Sequence, residues 1–234
     1  MRFGEVFRYE FGYRMRSAST WGYAVFLFLI IVWGTLATAD GGAVNANAPI
    51  QVAQATVLFG GLFGLAVSAA LFGDAAIRDV AVGMDQLLFT TRLRKAEFLG
   101  GRFLAALAVN AIVVLALPLG HMVVIATPLV GSEPLGPFRL AAYAQPLLLF
   151  SWPNLILAGA ILFAIGALAR HVVPVYLAAI GTLIGYVTAA NYWTGVDNRL
   201  LSALGDPLGI NALLAMNQYW TPANKNAQLI GFPT

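Results

Sequence analysis

The chain has 234 residues, of which 60% are hydrophobic and only 10% are charged, and its mean hydropathy is +0.80. A soluble domain carries about 25% charged residues, so this chain has too few charges to cover a water-facing surface. The composition therefore excludes an ordinary soluble domain and predicts an all-α membrane protein, a polytopic bundle of transmembrane helices. Cysteine is absent, which excludes disulfides, thiolate metal sites and a cysteine nucleophile.

Residues 1–20 are predicted to form a helix that lies in the membrane interface. Apolar side chains form one stripe and cations for lipid headgroups lie beside it. The apolar residues are Phe3, Val6, Phe7 and Phe11, and the cations are Arg2, Arg8, Arg14 and Arg16. Glu10 and Arg14 are spaced for an i,i+4 ion pair. The alternative is an ordinary helix packed against the rest of the protein.

Five apolar stretches follow, each about as long as a bilayer core requires. They cover residues 21–39, 52–73, 103–127, 146–168 and 172–190. Pro118 is expected to bend the third span, because proline removes a backbone hydrogen bond. The short link Arg170-His171 predicts that the fourth and fifth spans are antiparallel neighbours. Together, residues 1–190 are predicted to form the membrane domain.

Small residues within the spans predict where helices meet. Gly60 and Gly64 form a G-x-x-x-G pattern in the second span, and Gly181 and Gly185 form a similar pair in the fifth. Small residues let helix backbones approach closely in lipid, where apolar burial gives little driving force. Glycine is common in membrane spans, so each pattern is weak by itself.

The longest polar interruption covers residues 77–102 and is called the docking segment below. Four apolar side chains within it recur at the spacing of one helical face, which predicts a short amphipathic helix. These residues are Val80, Met84, Leu87 and Leu88. A helix of this kind beneath a membrane domain either lies on lipid or docks on a partner protein.

Charged residues surround this predicted helix. Asp79 is expected to cap its first free N–H groups, and Asp74 is placed for an i,i+4 pair with Arg78. A basic turn, whose residues include Arg92 and Arg94, follows the helix. These cations could pair with acidic groups on a partner or with lipid phosphates, and the orientation of the chain alone would also place cations here.

One orientation explains the distribution of the cations. With the N-terminus in the cytoplasm, ten of the 13 lysine and arginine residues lie in cytoplasmic regions. The other three, Arg139, Arg199 and Lys225, lie outside. Cytoplasmic regions of membrane proteins carry such an excess of cations, so the N-terminus and the docking segment are predicted to be cytoplasmic. Five spans would then leave the C-terminus outside.

Familiar catalytic motifs are missing from the chain. It contains no G-x-x-x-x-G-K-[ST], no H-E-x-x-H and no G-x-S-x-G. An enzyme is therefore not predicted, and no catalytic residue or metal ligand is assigned. Asn110 and His121 are polar groups inside the third span, where a hydrogen bond between helices is favoured over a place on a substrate path.

The order of these motifs resembles the permease subunits of ABC-2 type ABC transporters. The resemblance is carried by Arg78-Asp79, Gly83 to Leu88, Arg92 to Lys95 and Phe98 to Arg102. It implies that the docking segment contains a coupling helix, which a separate ATPase subunit contacts. The docking residues implied are Asp79, Met84, Asp85, Leu87, Leu88, Arg92 and Arg94.

The resemblance also implies the setting of the protein. It would be an exporter subunit in the bacterial inner membrane, assembled with the ATPase and with a second permease copy or a homologous permease, and in contact with membrane lipids. ATP would bind the partner subunit, so no cofactor is expected in this chain, and no nucleic acid is expected as a partner. The alternatives are a secondary transporter or channel subunit, and a membrane assembly protein that does not transport.

Residues 191–234 contain no run long enough to cross a membrane and are predicted to form an extracytoplasmic or interfacial tail. Asp206 to Gly209 and Tyr219 to Asn226 resemble the extracytoplasmic stretch of large bacterial ABC-2 permeases, some of which carry an aminopeptidase-like domain. Such permeases continue into a sixth span after this stretch. The resemblance therefore leads us to expect that this chain stops before that span.

Overall fold

The computed structural model describes residues 2–37, 43–84, 94–127, 135–193 and 206–230. Every regular element within these ranges is helical. In chain order the elements are α1 (Arg2–Met15), α2 (Ala18–Ala37), α3 (Pro49–Ala81), α4 (Lys95–Val114), α5 (Ala116–Ala126), α6 (Leu140–Pro146), a π-helix (Leu147–Ser151), α7 (Trp152–Ala169), α8 (Val172–Trp193), α9 (Ile210–Asn217) and α10 (Pro222–Ala227). The predicted all-α class is therefore confirmed for the described part of the chain.

Four helical stretches are long and apolar enough to cross a bilayer. They are Ala18–Ala37, Pro49–Ala81, Lys95–Ala126 and Leu140–Ala169. Each contains or overlaps one of the first four predicted spans. The second and third stretches continue into the polar residues 74–81 and 95–102, and the fourth begins six residues earlier than predicted, at Leu140. The apolar part of α8, Val172–Thr188, is shorter. The count of five spans therefore stays a prediction.

Proline interrupts the third stretch where the sequence predicts it. The helix breaks at Leu115, between α4 and α5, and Pro118 lies three residues later. A proline ring clashes with the carbonyl four residues earlier, which here belongs to Val114, the last residue of α4. The interruption therefore lies where Pro118 was expected to act, and the bend itself stays a prediction.

A π-helix of five residues joins α6 to α7 in the fourth stretch. The N–H of Trp152 donates to the carbonyl of Leu147, five residues earlier instead of four. Pro153 follows directly and has no N–H to continue an α-helical pattern. A wider turn at this point accommodates the proline within one long helical stretch.

The chain folds into two compact units, each built from three separate segments. The first unit consists of Met1–Tyr23, Leu65–Val113 and Leu155–Thr182. In its core the ring of Phe103 lies with its centroid 5.6 Å from those of both Phe72 and Phe163. Gly166 of α7 lies so close to Val175 of α8 that an added Cβ would be 3.2 Å from a Val175 methyl. The helices on either side of the short link are therefore neighbours, as predicted.

The second unit consists of Ala24–Gly64, Val114–Asn154 and Leu183–Thr234. Gly120 of α5 lies close to the backbone of α2, where an added Cβ would be 2.9 Å from the carbonyl oxygen of Phe28. In the predicted G-x-x-x-G pattern, a Cβ at Gly60 would meet Leu117 at 2.9 Å, whereas one at Gly64 would meet no described atom within 4 Å. Only half of that pattern therefore marks a close contact.

The glycine pair noted in the fifth span, Gly181 and Gly185, makes no close contact with the described residues. A Cβ at Gly181 or Gly185 would have no described atom within 4 Å, and Ile180 and Ile184 beside them are exposed. The predicted close approach at this pair is therefore not found in the described part of the chain.

Neutral amide side chains hold the connecting segments of the second unit together. Asn47 donates to the Gly136 carbonyl and accepts from its N–H, both at 2.8 Å. Asn226 of α10 accepts from the N–H of Asn45 at 2.8 Å and donates to the Ala43 carbonyl at 3.1 Å. These bonds tie the segment before α3 to the segment before α6 and to the tail.

Two more amides attach the tail to the fourth stretch. Gln145 of α6 accepts from the N–H of Ile230 at 3.1 Å, and Asn154 of α7 donates to the Leu208 carbonyl at 2.8 Å. Leu208 and Ile230 are both buried. The described part of the tail therefore belongs to the packed second unit.

Candidate functional site

A cluster of six charged side chains lies where α1 meets the end of α3 and the start of α4. We call it the charge network. Its members are Glu10, Arg14, Asp74, Arg78, Asp79 and Arg102. Three carboxylates and three guanidinium groups balance one another, so the cluster has no net charge. Buried charges are tolerated only when they are paired in this way.

Glu10 is the centre of the charge network. One of its carboxylate oxygens accepts from the Nη2 of Arg78 and from the Nε of Arg102, the latter at 3.2 Å. The other oxygen lies 3.8 Å from the Nε of Arg14, which confirms the predicted i,i+4 pair. Glu10 is only 3% exposed. A single buried carboxylate therefore pairs with three arginines from three helices, and Asp74 and Asp79 supply the remaining negative charge.

Arg14 carries the network from α1 to α3. Its Nη2 forms an ion pair with Asp74 at 2.8 Å, and its Nη1 donates to the Leu71 carbonyl at 3.2 Å. Burial lowers the pKa of the Arg14 guanidinium, and the carboxylates of Asp74 and Glu10 oppose that effect. Arginine starts from so high a pKa that the group stays charged.

Arg102 of α4 links the two ends of the docking segment by binding Asp79 of α3. Its Nη1 and Nη2 donate to the two carboxylate oxygens of Asp79 at 2.6 and 3.3 Å, and it is 1% exposed. Paired N–H donors of this kind fit a carboxylate with fixed geometry. The last turn of α3 is thus bound to the second turn of α4, across residues 84–94.

Two glycines of α4 let α1 come close. Added Cβ atoms at Gly100 and Gly101 would lie 3.2 Å from the Phe3 ring and 2.9 Å from a Val6 methyl. Phe3 and Val6 belong to the apolar stripe that was predicted to face lipid. Val6 therefore packs on the protein, and α1 is a helix docked on α4 through part of that stripe.

The structure corrects the predicted environment of three charged residues. Arg14 is buried in the charge network, so it is not a cation for lipid headgroups. Asp74 and Arg78 were predicted to pair with each other, but Asp74 binds Arg14 and Arg78 binds Glu10. Side chains of α1 supply both partners, and the spacing within α3 contains no information about α1.

The prediction that a new amphipathic helix begins after Asp79 was wrong. Asp79 lies in the last turn of α3 and does not cap a new helix. The helix ends at Ala81, and Gly83, two residues later, has a positive φ of 68°, with the N–H of Met84 bonded to the Asp79 carbonyl at 2.8 Å. Glycine in this conformation is a common helix terminator. Val80 therefore belongs to α3, and Met84 follows the turn.

The predicted docking residues fall into three groups. Asp79 is mostly buried, with its side chain 19% exposed and bound to Arg102. Met84 is 49% exposed, and Arg94, the residue just before α4, is also exposed. Asp85, Leu87, Leu88 and Arg92 lie outside the described residues.

Sequence reasoning missed Glu10, Arg14 and Arg102 as members of one site. The available signals were the Glu10–Arg14 spacing and the Gly100-Gly101 pair just ahead of Arg102. Neither signal identifies which helices pack together, so the cluster could not be assembled from them.

Polar groups inside the third stretch bond to neighbouring helices. Asn110 of α4 donates to the hydroxyl of Ser68 on α3 at 2.8 Å. The Nδ1 of His121 on α5 lies 3.1 Å from the hydroxyl of Thr35 on α2. Both observations agree with the favoured interpretation, hydrogen bonds between spans.

Comparison with known proteins gives no relative: no family model, curated protein or solved structure matches the chain. The class that the described residues define is a helical membrane protein with four stretches able to cross a bilayer. The resemblance to ABC-2 permeases rests on the sequence motifs alone.

Proposed function

We propose that this chain is the membrane-spanning permease subunit of an ABC-2 type exporter, driven by a separate ATPase that docks on residues 77–102. The observation that carries the proposal is the paired contact between Arg102 and Asp79 at the base of that segment. An ATPase subunit outside the membrane can act on the permease only through a segment whose movement is transmitted to the transmembrane helices. The contact provides such a connection.

The charge network couples the two ends of the docking segment to α1. Glu10 binds both Arg78 of α3 and Arg102 of α4, so three helices share one buried carboxylate. A push or pull on the segment would move these helix ends together as one body instead of stretching a loose loop. Rigid displacement of packed helices is a usual form of such transitions.

The described edges of the docking segment suit contact with a partner. Val82 and Met84 are 64% and 49% exposed, and they follow directly on the end of α3. Exposed apolar side chains beside charged ones are typical of surfaces that a partner covers. Arg94 at the other edge adds a cation that an acidic partner could pair with.

A secondary transporter is supported less well. That class uses ionisable groups deep in a span as ion or substrate sites. In the described spans Asn110 and His121 bond to neighbouring helices, which fits a packing role better than a substrate path. A neighbouring gene for a P-loop ATPase would favour the exporter over both this alternative and a non-transporting assembly protein.

The docking proposal predicts the effect of charge reversal on partner binding. The double variant Asp85→Lys/Arg94→Glu is expected to lose co-purification with the proposed ATPase partner, while the amount inserted in the membrane stays the same. Lys225→Glu reverses a charge on the predicted external tail and serves as the control. Full retention of the ATPase by the double variant, or its loss in the control as well, would contradict docking on this segment.

The coupling proposal makes a separate prediction for Asp79. In Asp79→Asn the paired ionic contact with Arg102 is weakened, whereas Met84 and Arg94 at the segment edges are unchanged. The ATPase should still co-purify, but its stimulation by the permease should fall several-fold. ATP hydrolysis by the reconstituted complex is the measurement. If stimulation of ATP hydrolysis were unchanged, the contact between Asp79 and Arg102 would play no part in coupling the ATPase to the permease.

A further inference from the structure

One face of α1 carries a groove that borders the charge network. The ring of Tyr13, one of its lining residues, lies with its centroid 4.3 Å from the guanidinium carbon of Arg78. The groove has a volume of about 800 Å³, and it is lined by Arg8, Tyr9, Gly12, Tyr13 and Arg16 together with Glu5. Arg8, Gly12 and Arg16 follow one another at intervals of four residues, so they lie on one side of the helix. Tyr9 and Tyr13 are 69% and 49% exposed beside them.

The two cations of the groove differ from Arg14 in their surroundings. Arg14 is buried among carboxylates, whereas Arg8 and Arg16 are exposed and have no carboxylate partner among the described residues. Packing against the protein does not explain the glycine between them. A Cβ at Gly12 would meet no described atom within 4 Å. The groove therefore has room at its centre and an excess of positive charge, with two arginines against the one carboxylate of Glu5.

The groove lies at the level where spans end. Phe3 and Val6 of α1 contact the first turns of α4, and Arg14 reaches the last turns of α3. Arg16 is two residues before α2, and the indole of Trp21 donates to the Met15 carbonyl at 2.9 Å. Tryptophan and tyrosine concentrate where lipid headgroups meet water. The phosphate layer of the bilayer is therefore the chemistry nearest to Arg8 and Arg16.

We propose that the groove on α1 is a binding site for the headgroup of an anionic phospholipid. Arg8 and Arg16 are separated by about 12 Å along the helix axis, so both long side chains can converge on one phosphodiester above Gly12. Guanidinium groups bind phosphate oxygens in pairs of hydrogen bonds, and the tyrosine hydroxyls add donors. The carboxylate of Glu5 at one end of the groove repels additional negative charge, so it limits how much anionic charge the site can bind.

This site deepens the membrane assignment and does not depend on an ATPase. The test uses the full chain purified alone in detergent, with phosphatidylglycerol or phosphatidylcholine added in increasing amounts. A ligand that binds the folded state raises the unfolding temperature as its concentration rises. Phosphatidylglycerol should raise it at lower concentration than phosphatidylcholine.

Four variants and one control distinguish the contribution of charge from that of the space above Gly12. Arg8→Gln and Arg16→Gln should each weaken the apparent affinity for phosphatidylglycerol about fivefold, as expected for loss of one cation near an anionic surface. Glu5→Gln should strengthen it. Gly12→Leu fills the groove without changing its charge, and it should weaken binding even though leucine favours a helix more than glycine does. Gly22→Leu, also at an open position, is the control for the last change.

The shifts in unfolding temperature show whether the groove binds the headgroup of an anionic phospholipid. Equal stabilisation by the two lipids, or an unchanged response in the Arg8→Gln/Arg16→Gln double variant, would overturn the proposal. Glycerol phosphate in solution provides a further arm. If it stabilises the protein as well as the lipid does, the site takes a soluble phosphate and a lipid is not its occupant. A weaker response in Gly12→Leu with an unchanged response in Gly22→Leu would support it independently of charge.

Discussion

Replacing Glu10 by alanine is expected to lower the free energy of unfolding by about 3–5 kcal/mol, the usual cost of removing one partner from a buried ion cluster. Three arginines would lose the carboxylate they share, and two of them, Arg14 and Arg102, are at most 3% exposed. They cannot regain water without separating α1 from α3 and α4. Thermal unfolding of the detergent-purified protein, or the yield of folded protein, is the measurement.

Two further variants make this prediction specific. Glu5→Ala removes an exposed carboxylate from the same helix and should leave stability almost unchanged. Glu10→Gln keeps an acceptor of similar shape but no charge, so its loss should lie between the other two. If Glu10→Ala were as stable as Glu5→Ala, the network would not be what holds α1 in place.

Replacing Gly120 by valine is expected to have the second largest effect. The added Cβ would lie 2.9 Å from the Phe28 carbonyl oxygen and 2.4 Å from an Ile31 methyl, so α2 and α5 would have to separate. Overpacking of a well-filled interior costs about 1–3 kcal/mol, and a backbone contact cannot give way by a rotamer change. We expect the upper end of that range, measured by thermal unfolding in detergent.

The matched control is Gly64→Val. This glycine also lies in a long apolar helix, but an added Cβ would meet no described atom within 4 Å. Valine favours a helix slightly more than glycine does, so this variant should be neutral or slightly more stable. Equal destabilisation by both substitutions would mean that the cost comes from the membrane environment of valine and not from the contact at Gly120.

The comparison of Gly120 with Gly64 also illustrates what a sequence can predict. The G-x-x-x-G spacing drew attention to Gly64, whereas among the described glycines the nearest backbone atom to an added Cβ is met at Gly120, an isolated glycine two residues after Pro118. Glycine spacing describes one helix, but a close approach depends on which residue of a second helix lies opposite. That information comes from tertiary packing, and no pattern along one helix contains it.

Features determined within a few residues were predicted well. Apolar length identified four helical stretches, Pro118 marked the break between α4 and α5, and the Arg170-His171 link indicated adjacent helices. The end of α3 was a local signal too, because Gly83 terminates the helix, but the apolar spacing of Val80 and Met84 suggested a continuous helix instead. Two local signals conflicted, and the backbone requirement prevailed over the periodicity.

The charge network could be predicted only in part, because its pairs join residues from separate helices. The Glu10–Arg14 pair was within reach of sequence reasoning since both residues lie one turn apart. The contact of Arg102 with Asp79 spans 23 positions and that of Glu10 with Arg102 spans 92. Both require that α1 lies across α3 and α4, which the residues of α1 alone do not specify.

The amide contacts of the second unit have a consequence for the conditions the protein tolerates. Asn47, Asn226, Gln145 and Asn154 hold connecting segments and tail by bonds between uncharged groups. Dissolved ions screen attraction between opposite charges but act little on such dipoles, and amides do not titrate. Changes in salinity or acidity around these segments therefore leave these amide bonds intact. The charged exceptions among the contacts described are Arg139, bonded to the Ala227 carbonyl, and Asp206, whose carboxylate accepts from the N–H groups of Leu208, Asn211 and Ala212.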